Sequence, residues 1–397
     1  MTEVSDGGAG RWAGVALAPC ADYLPDSAAA AVAQIAEAIP ALREIRPGTR
    51  VAVKANLVAP LRPERAGTTH PALLSALTGY LTQKGASVVI GDSPGGPFAR
   101  VYVDGIYAAA GLRAVQQAGA ELNEDFSVRT ASFPAATAAA QFDYTAWLDQ
   151  ADVIVNFSKL KTHGMMSMSC AVKNMFGVIP GLQKPEYHYR YPQAEQFADM
   201  LIDLNEYFRP QVNLVDAVVA MEGFGPTNGR PRHMGLLLGS ESPYTLDLIC
   251  AELIGLAPGA VPVLTRAIQR GLAPACAADV PVTGGSPDAF RVPDFDISAA
   301  KSDLTGFVSG RTAAGRALNR IAGRALAARP ALGPVPCVAC GKCASMCPAG
   351  AIRISGGRAH IDRKACIRCF CCQEFCPVGA MIPKRSAVAR LLIRRKS

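Results

Sequence analysis

The chain has 397 residues, half of them hydrophobic, with 37 glycines and 29 prolines. This length and composition allow at least one sizeable core, which excludes a disordered or fibrous protein. A membrane span needs about 18 consecutive apolar residues, and no apolar run in the sequence approaches that length. No signal peptide is recognisable either, so we expect a cytoplasmic protein without a membrane span. Because thiols stay reduced in that compartment, the 13 cysteines indicate metal binding rather than disulfides.

The net charge of +8 is unevenly distributed along the chain. Residues 309–397 carry 17 Lys and Arg against two acidic residues, whereas residues 1–308 are net acidic. This division predicts either a solvated basic surface or a basic part that docks on the acidic part or on an acidic electron donor. No nucleic-acid-binding module is recognisable and few aromatic residues accompany the basic ones, so nucleic acid is not the expected partner.

Between residues 11 and 270, β-branched runs alternate with Ala- and Leu-rich helical stretches. The pattern predicts an α/β domain, a mostly parallel sheet covered by helices. The predicted strands are Val15–Ala18, Arg50–Leu57, Ser87–Ile90, Asp152–Phe157, Val212–Val219 and Met234–Leu238. The predicted helices are Ser27–Ile45, Pro71–Lys84, Ala194–Phe208, Thr245–Leu256 and Val261–Gln269.

Composition divides the chain into four segments. The α/β domain spans residues 1–308, with its core at about 50–270 and a Pro-, Gly- and Asp-rich connection at 271–308. Residues 309–333 form a basic amphipathic connector, predicted as a helix from Arg311 to Arg329. Residues 334–384 form a small cysteine-rich domain, and residues 385–397 form a basic tail.

The cysteine-rich domain contains two copies of the pattern C-x2-C-x2-C-x3-C-P. Three thiolates on such a loop reach three corners of an iron–sulfur cube, and the fourth Cys serves the other cube. The predicted ligands are Cys337, Cys340, Cys343 and Cys376 for cluster 1, and Cys366, Cys369, Cys372 and Cys347 for cluster 2. Zinc is the alternative, disfavoured because both copies have the third Cys and the Cys-Pro ending. Cys371 is an extra thiol, expected to be packed or solvent-facing.

With these motifs, residues 334–383 resemble the bacterial-type ferredoxin family. The resemblance implies a small α+β domain with two [4Fe-4S] clusters that passes single electrons at low potential. A cellular donor such as ferredoxin or flavodoxin is the partner that it implies.

Polar residues follow three of the predicted strands, where open α/β sheets bind their ligands. The second segment, at Asp92 and Ser93, is a Gly-rich turn. Its backbone N–H groups could bind an anion, with a plain tight turn as the alternative. A structural salt bridge is the alternative for the first segment, and core packing is the alternative for the third. The three segments contain Lys54 and Asn56, then Asp92 and Ser93, then Asn156, Lys159, Lys161, His163, Lys173 and Asn174.

The three segments, together with Asp216 and the Glu-Gly-x-Gly-Pro motif at Glu222–Pro226, resemble the family called domain of unknown function 362. The resemblance covers about residues 50–270 and implies a redox protein, since members often carry a ferredoxin domain. A looser similarity links the segment His163–Gly181 to lactate racemases that hold a nickel-pincer nucleotide.

These observations predict an iron–sulfur oxidoreductase, a reductase in which two [4Fe-4S] clusters relay electrons to a substrate or second cofactor at the strand ends. A flavin or another cofactor could serve as that second centre, and the small-molecule acceptor is not identified. Lys159, Lys161 and Lys173 would polarise the acceptor, and His163 would supply a proton. The residues predicted to bind or orient it are Lys54, Asn56, Asp92, Ser93, Asn156, Asn174, Asp216 and Glu222. The alternative is a non-enzymatic electron-transfer or assembly protein that acts on a partner protein. The loop at 184–191 is expected to act as a lid.

Overall fold

A computed structural model describes residues 11–298 and 328–385. The strands of the α/β domain are β1 (Val15–Pro19), β2 (Arg50–Lys54), β3 (Ser87–Gly91), β4 (Glu121–Leu122), β5 (Val128–Ser132), β6 (Gln141–Thr145), β7 (Val153–His163), β8 (Ser167–Ser169), β9 (Val212–Glu222), β10 (Arg230–Ser240) and β11 (Val282–Thr283). Its helices are α1 (Pro25–Ala38), α2 (Pro40–Arg43), α3 (Pro71–Gln83), α4 (Arg100–Ala109), α5 (Arg113–Gln117), α6 (Ala171–Asn174), α7 (Lys184–Arg190), α8 (Ala194–Phe208), α9 (Pro243–Leu253) and α10 (Pro262–Gln269).

One mixed sheet organises this domain, in the order β11-β1-β10-β9-β7-β2-β3-β4. Neighbours from β9 to β4 are parallel, whereas β10 runs antiparallel to both β1 and β9. The predicted α/β class is therefore confirmed. Lys54 on β2 lies opposite Asn156 on β7, which lies opposite Asn213 on β9, so polar residues of three strands stand at one level.

Helices cover both faces of the sheet, because the central strands are apolar on both sides. Leu73, Leu77 and Val103 of α3 and α4 pack with α1 in one core cluster. Helices α8 and α10 and the β5–β6 hairpin belong to a second cluster on the other side, and α9 belongs to a third. The carboxyl ends of β2 and β3 are thereby held at a common edge.

Several predicted boundaries were wrong. The helix expected at Ser27–Ile45 is two helices, because Pro40 has no N–H to continue α1 and Ile39 is extended. Helices α4 and α5 and the β5–β6 hairpin were not predicted. Residues 184–191 do not form an open lid loop: most of them form α7, which has Pro185 in its first turn and a buried His188.

Strand β7 was expected to end at Phe157 but continues to His163. The extension pairs with β9, with a register shift between Lys159 and Lys161. From Lys161 to His163 it also pairs with β8. The two lysines and the histidine therefore project from a strand, which holds them more rigidly than a loop would.

The cysteine-rich domain contains β12 (Arg329–Leu332), α11 (Lys342–Ser345), β13 (Ile352–Ser355), β14 (Arg358–Ile361), α12 (Cys371–Glu374) and β15 (Met381–Lys384). Its strands form two antiparallel pairs, β12 with β15 and β13 with β14. Arg329, predicted as the last residue of the helical connector, instead begins β12. Connector residues 309–327 and tail residues 386–397 lie outside the described residues. In the described part of the chain no helix has the length and apolarity to cross a membrane.

Candidate functional site

The loop that carries the second cysteine pattern docks on the α/β domain through an apolar contact. Phe370 of this loop is 4% exposed and belongs to the same core cluster as Met165 and Phe176 of the α/β domain. Gly164 faces the Phe370 ring so closely that a Cβ there would lie 3.1 Å from it. The segment after β7 that contains Gly164 and Met165 therefore forms part of the surface on which the cysteine-rich loop docks.

Polar contacts to the segment that follows β9 complete this docking. The side-chain amide of Gln373, which is fully buried, donates to the carbonyl oxygens of Phe224 and Gly225 at 2.9 Å each. In the opposite direction, Thr227 Oγ1 donates to the carbonyl oxygen of Glu374 at 3.2 Å. The Glu-Gly-x-Gly-Pro segment thus contacts the cysteine-rich domain through its backbone.

The eight predicted ligand cysteines form two groups. Cys337, Cys340, Cys343 and Cys376 border one cavity of about 20 Å3, and Cys372 interacts electrostatically with Cys369, Cys366 and Cys347, and also with Cys343 of the first group. In the described part of the chain, no three His, Cys, Asp or Glu residues stand close enough to hold a single metal ion. Four cysteines around one cavity agree with the thiolate set that an iron–sulfur cube requires. The grouping matches the predicted crossed pattern, and ligation by these thiols stays a prediction.

A second cavity, of about 70 Å3, lies where the cysteine-rich loop meets the strand ends. We call it the seam cavity. From the cysteine-rich domain, Cys371, Glu374 and Phe375 line it. From the α/β domain, its wall includes Asn56, Asp92, Ser93, Lys161, Lys173, Asn174, Lys184 and His188. Cys371 is packed, with 1% of its surface exposed. Of the two predicted alternatives, packed or solvent-facing, the first is therefore correct.

A buried ion pair and a series of side-chain amides form one wall of the seam cavity. Lys54 Nζ lies 2.7 Å from Asp92 Oδ1, so the predicted salt-bridge alternative describes this lysine. Asn174 accepts from Asn56 Nδ2 at 2.9 Å and donates to Asn156 Oδ1 at 2.8 Å. Because each group has a partner, this wall is rigid without a ligand.

Gly177 permits the Lys54–Asp92 pair. A Cβ at this position would overlap both Asp92 Oδ1 and Lys54 Nζ. Gly177 lies in the segment His163–Gly181, and the lack of a side chain lets the backbone approach the pair.

Three further lysines line the seam cavity and form no ion pair with a carboxylate of the residues that the structure describes. Lys161 Nζ donates to Asn56 Oδ1 at 2.8 Å and to the Gly67 carbonyl oxygen at 2.9 Å. Lys184 Nζ donates to the carbonyl oxygens of Ser93 and Ile179, at 2.7 and 2.5 Å. Burial lowers the pKa of Lys161 and of Lys184 to about 7.

Lys173 is the third of these lysines. Its ammonium lies 5.7 Å from the centre of the Phe176 ring, and it has neither a hydrogen bond nor an ion pair with any residue that the structure describes. A cation without a partner on the wall of a cavity is available to a ligand.

His163 lies behind the seam cavity and contacts Glu374, not the cavity itself. Its Nδ1 accepts from the backbone N–H groups of Met165 and Met166 at 3.1 Å each, which assigns the imidazole proton to Nε2. Nε2 lies 2.9 Å from Glu374 Oε1. Burial lowers the pKa of His163 to about 4. Burial opposes ionisation of Glu374, but His163 and Lys173 outweigh it and hold its pKa below the usual value.

Lys159 and Asp216, although predicted with the others, form a separate site. Lys159 Nζ lies 2.8 Å from Asp216 Oδ2 and from the Tyr23 hydroxyl, which in turn donates to Asp216 Oδ1. Glu222 lies apart from both, accepting from Arg230 and from the backbone N–H of Asp296. None of these three predicted residues lines the seam cavity.

The Gly-rich turn after β3 borders the cavity, but the N–H groups of three of its residues are used within the fold. The N–H groups of Ser93, Gly95 and Gly96 donate to the carbonyl oxygens of Gly177, Val58 and Pro94. Of the two alternatives, the plain tight turn describes the backbone at these three residues. Ser93 Oγ, in contrast, is buried without a hydrogen-bond partner among the described residues.

Sequence reasoning missed the contribution of the cysteine-rich domain to this site. Glu374 and Asp362 are the two acidic residues of an otherwise basic segment, so the position of Glu374 among cluster cysteines was a usable signal. Lys184 and His188 were noticed as part of a lid and not as a wall, and no local pattern identifies them. A larger open depression of about 500 Å3, bordered by Arg50, Glu121 and Trp147, contains none of the predicted site residues.

The fold and site thus define a two-part protein, an α/β domain with a polar cavity closed by an iron–sulfur domain. Comparison with known proteins agrees: the model of a domain of unknown function, DUF362, matches residues 51–252, and that of a 4Fe-4S dicluster domain matches residues 330–377. The chain belongs to the DUF362 family.

One curated relative and one solved structure extend the comparison. A thylakoid-associated protein of Synechocystis is 30% identical over 240 residues, which are 59% of this chain and 71% of that protein. The lactate racemase apoprotein from Thermoanaerobacterium thermosaccharolyticum superposes with a TM-score of 0.39 at 12% identity, covering 64% of this chain and 60% of that structure.

Proposed function

We propose that this protein is an iron–sulfur oxidoreductase that reduces a small molecule held in the seam cavity. The observation that carries the proposal is the shared wall: Cys371, between the predicted cluster 2 ligands Cys369 and Cys372, lines the same cavity as Lys161 and Lys173. When bound, the clusters supply one-electron transfer at low potential. A molecule in this cavity would therefore lie beside the cysteine-rich loop.

The chain's own residues position and surround the acceptor. Lys161 and Lys173 would hold or polarise it, as predicted, and Asn56 and Asn174 fix the wall. Phe370 and Phe375 exclude water from the cluster 2 side. The geometry supports a positioning role for His163, which orients Glu374, rather than direct proton donation to the acceptor.

Electron entry is proposed at cluster 1. Cys340 is exposed, and three apolar residues beside this group of cysteines are also exposed, namely Val335, Val338 and Val378. An acidic donor of the ferredoxin or flavodoxin type fits such a surface on a basic domain. The seam cavity, in contrast, lies beside the loop that carries the predicted cluster 2 ligands.

The test is reduction of small acceptors by the anaerobic full chain. The protein is reduced with dithionite, freed of the reductant and mixed with charged and neutral acceptors while the absorbance near 400 nm is followed. We expect at least one acceptor to reoxidise the wild type, Cys372→Ser to abolish turnover, and Cys276→Ser, at an exposed cysteine of the α/β domain, to leave it unchanged. If every variant behaves alike, the proposal is wrong.

The second candidate is an electron carrier or assembly protein that acts on a partner protein, favoured by the basic charge of residues 309–397. In that case no small acceptor reoxidises the reduced chain, whereas an acidic redox protein does. Mass spectrometry and metal analysis of the anaerobic protein would show whether a flavin or other second cofactor is bound beside about eight cluster irons per chain. Cytoplasmic localisation stays a prediction.

A further inference from the structure

The side chains on the wall of the seam cavity, counted apart from any cluster held by the neighbouring cysteines, carry more positive than negative charge. Among the described residues, Asp92 is already paired with Lys54, and Glu374 is the one other carboxylate on the wall. Against it stand the ammonium groups of Lys161, Lys173 and Lys184, none of which has a carboxylate oxygen within 4 Å. Burying such a charge excess is unfavourable, so these lysines either lose protons or are stabilised by an anionic ligand.

The lysines also retain hydrogen-bonding capacity. An ammonium group has three N–H donors. Lys161 and Lys184 each use two of them on protein oxygens, and Lys173 uses none on the described residues. The remaining donors belong to residues that line one cavity, from β7, α6 and α7.

Two neutral polar atoms add to this set. Ser93 Oγ and His188 Nδ1 are buried and have no hydrogen-bond partner among the described residues. Their side chains line the same cavity, and Ser93 and His188 are 1% and 2% exposed. Unsatisfied buried polar atoms are rare in folded proteins, so two on one wall indicate a missing ligand or water.

The cavity volume limits what can be bound. About 70 Å3 accommodates about five water-sized groups, well below the roughly 300 Å3 of a site for a drug-sized ligand. A molecule or headgroup of about four to six non-hydrogen atoms is therefore the appropriate size.

We propose that the seam cavity is a binding site for a small oxyanion or carboxylate, whose charge is neutralised by Lys161, Lys173 and Lys184 and whose oxygens are bonded by Ser93 and His188. This deepens the proposed function, since the ligand would be the acceptor of that proposal. The binding itself requires no electron transfer.

The test measures binding by the oxidised, cluster-loaded full chain, using calorimetry at constant chloride concentration. The probes are sulfate, oxalate and oxamide, the last a neutral analogue of oxalate of equal size. We expect oxalate to bind at least about tenfold more tightly than oxamide. Tighter binding of sulfate than of oxalate would indicate an inorganic oxyanion, and the reverse a carboxylate.

Variants locate the binding. Lys173→Met should weaken binding of the preferred anion about ten- to hundredfold, as loss of a charged hydrogen bond does. Lys364→Met, at an exposed lysine of the basic domain, should leave it unchanged. Equal affinity for oxalate and oxamide, or equal effects of the two variants, would overturn the inference, the latter by showing that binding is non-specific surface attraction. The oxalate and oxamide comparison needs no variant and so remains decisive if Lys173→Met does not fold.

The two proposals fail separately. Anions that bind the wild type, lose affinity in Lys173→Met and are never reduced would support the site and contradict the reductase. Reduction of neutral acceptors only, with no anion binding, would support the reductase and contradict the site.

Discussion

Two lysines on one strand, Lys159 and Lys161, lie in opposite electrostatic surroundings. Both are 1% exposed and two residues apart on β7. Lys159 is paired with Asp216 at 2.8 Å, whereas Lys161 reaches only the neutral oxygens of Asn56 and Gly67. A buried lysine that is paired with its own carboxylate is neutralised within the fold, whereas one without a carboxylate is a candidate for a functional site.

The same contrast separates the two regions around them. The Lys159 region is closed: Tyr23 bonds both members of the pair and stacks on His70 with ring centres 3.5 Å apart. The Lys161 region is open to the seam cavity, where Lys173 and Ser93 have unused donors. Sequence analysis grouped all these lysines as catalytic candidates, and the structure divides them by partner.

The largest expected effect is on stability, from breaking the closed pair. Lys159→Met leaves Asp216 buried without its partner, so the free energy of unfolding should fall by about 3–5 kcal/mol. Denaturant unfolding of the anaerobic protein measures this through the fluorescence of Trp12 and Trp147, both in the α/β domain.

The matched control is Arg50→Met, which breaks the solvent-exposed pair of Arg50 with Asp152. That pair is more than half exposed on the arginine side, so the loss should be small compared with that in Lys159→Met. Equal losses in the two variants would show that burial does not distinguish these ion pairs.

A smaller effect is expected at the wall of the seam cavity. Gly177→Ala places a Cβ against the Lys54–Asp92 pair, and the forced displacement should cost about 1–3 kcal/mol of unfolding free energy. In Gly79→Ala, on α3, the new Cβ meets no atom within 4 Å, so the same substitution should stabilise the protein by about 0.5–1 kcal/mol. Changes of the same sign at both positions would contradict this packing.

The pH dependence should have opposite signs for stability and for anion binding. Burial lowers the pKa of Lys161 and Lys184 from 10.5 to about 7, so above pH 7 the unfolded chain holds protons that the empty folded chain has lost. Stability of the empty protein should therefore rise between about pH 7 and 10. Sulfate binding needs the protonated lysines, and its affinity should fall by about tenfold or more per unit above pH 8.

Calorimetry and unfolding from pH 6 to 9 measure the two trends. The other charged or titratable groups facing these lysines are Lys54, Lys173, Asp92, Glu374 and His188. Burial lowers the pKa of His188 to about 3, so it does not titrate in this range. An affinity for sulfate that does not change with pH would contradict the role of Lys161 and Lys184.

Much of the fold and part of the site could be predicted from local pattern. The polar residues at the ends of β2 and β3 predicted that Lys54, Asn56 and Asp92 lie close together, because the carboxyl ends of parallel strands share an edge of the sheet. The length of β7 could not be predicted, since its extension depends on pairing with β8. The division between Lys159 and Lys161 depends on Asp216, 57 residues further along the chain, and sequence pattern alone carries no information about that distance.

Which residues of the cysteine-rich domain contact the seam cavity could not be predicted, for a different reason. Glu374 lines the seam cavity, and Phe370 packs in the core cluster beside it. Both positions depend on the docking of the cysteine-rich loop on the segment after β9 through Gln373. Docking between two parts of a chain has no local signature, so the partners of His163 and Lys173 could not be predicted.

The smallest effect expected returns to the two lysines. Lys161→Met removes hydrogen bonds to Asn56 and Gly67, but it also removes a buried charge without a carboxylate partner. These contributions oppose each other, so without a ligand the free energy of unfolding should change by less than about 1 kcal/mol, far less than in Lys159→Met. Sulfate at a hundred times its dissociation constant should stabilise the wild type by about 2.7 kcal/mol and the variant much less. Unfolding with and without sulfate measures both differences, and a loss in Lys161→Met as large as in Lys159→Met, without sulfate, would mean that Lys161 is structural too.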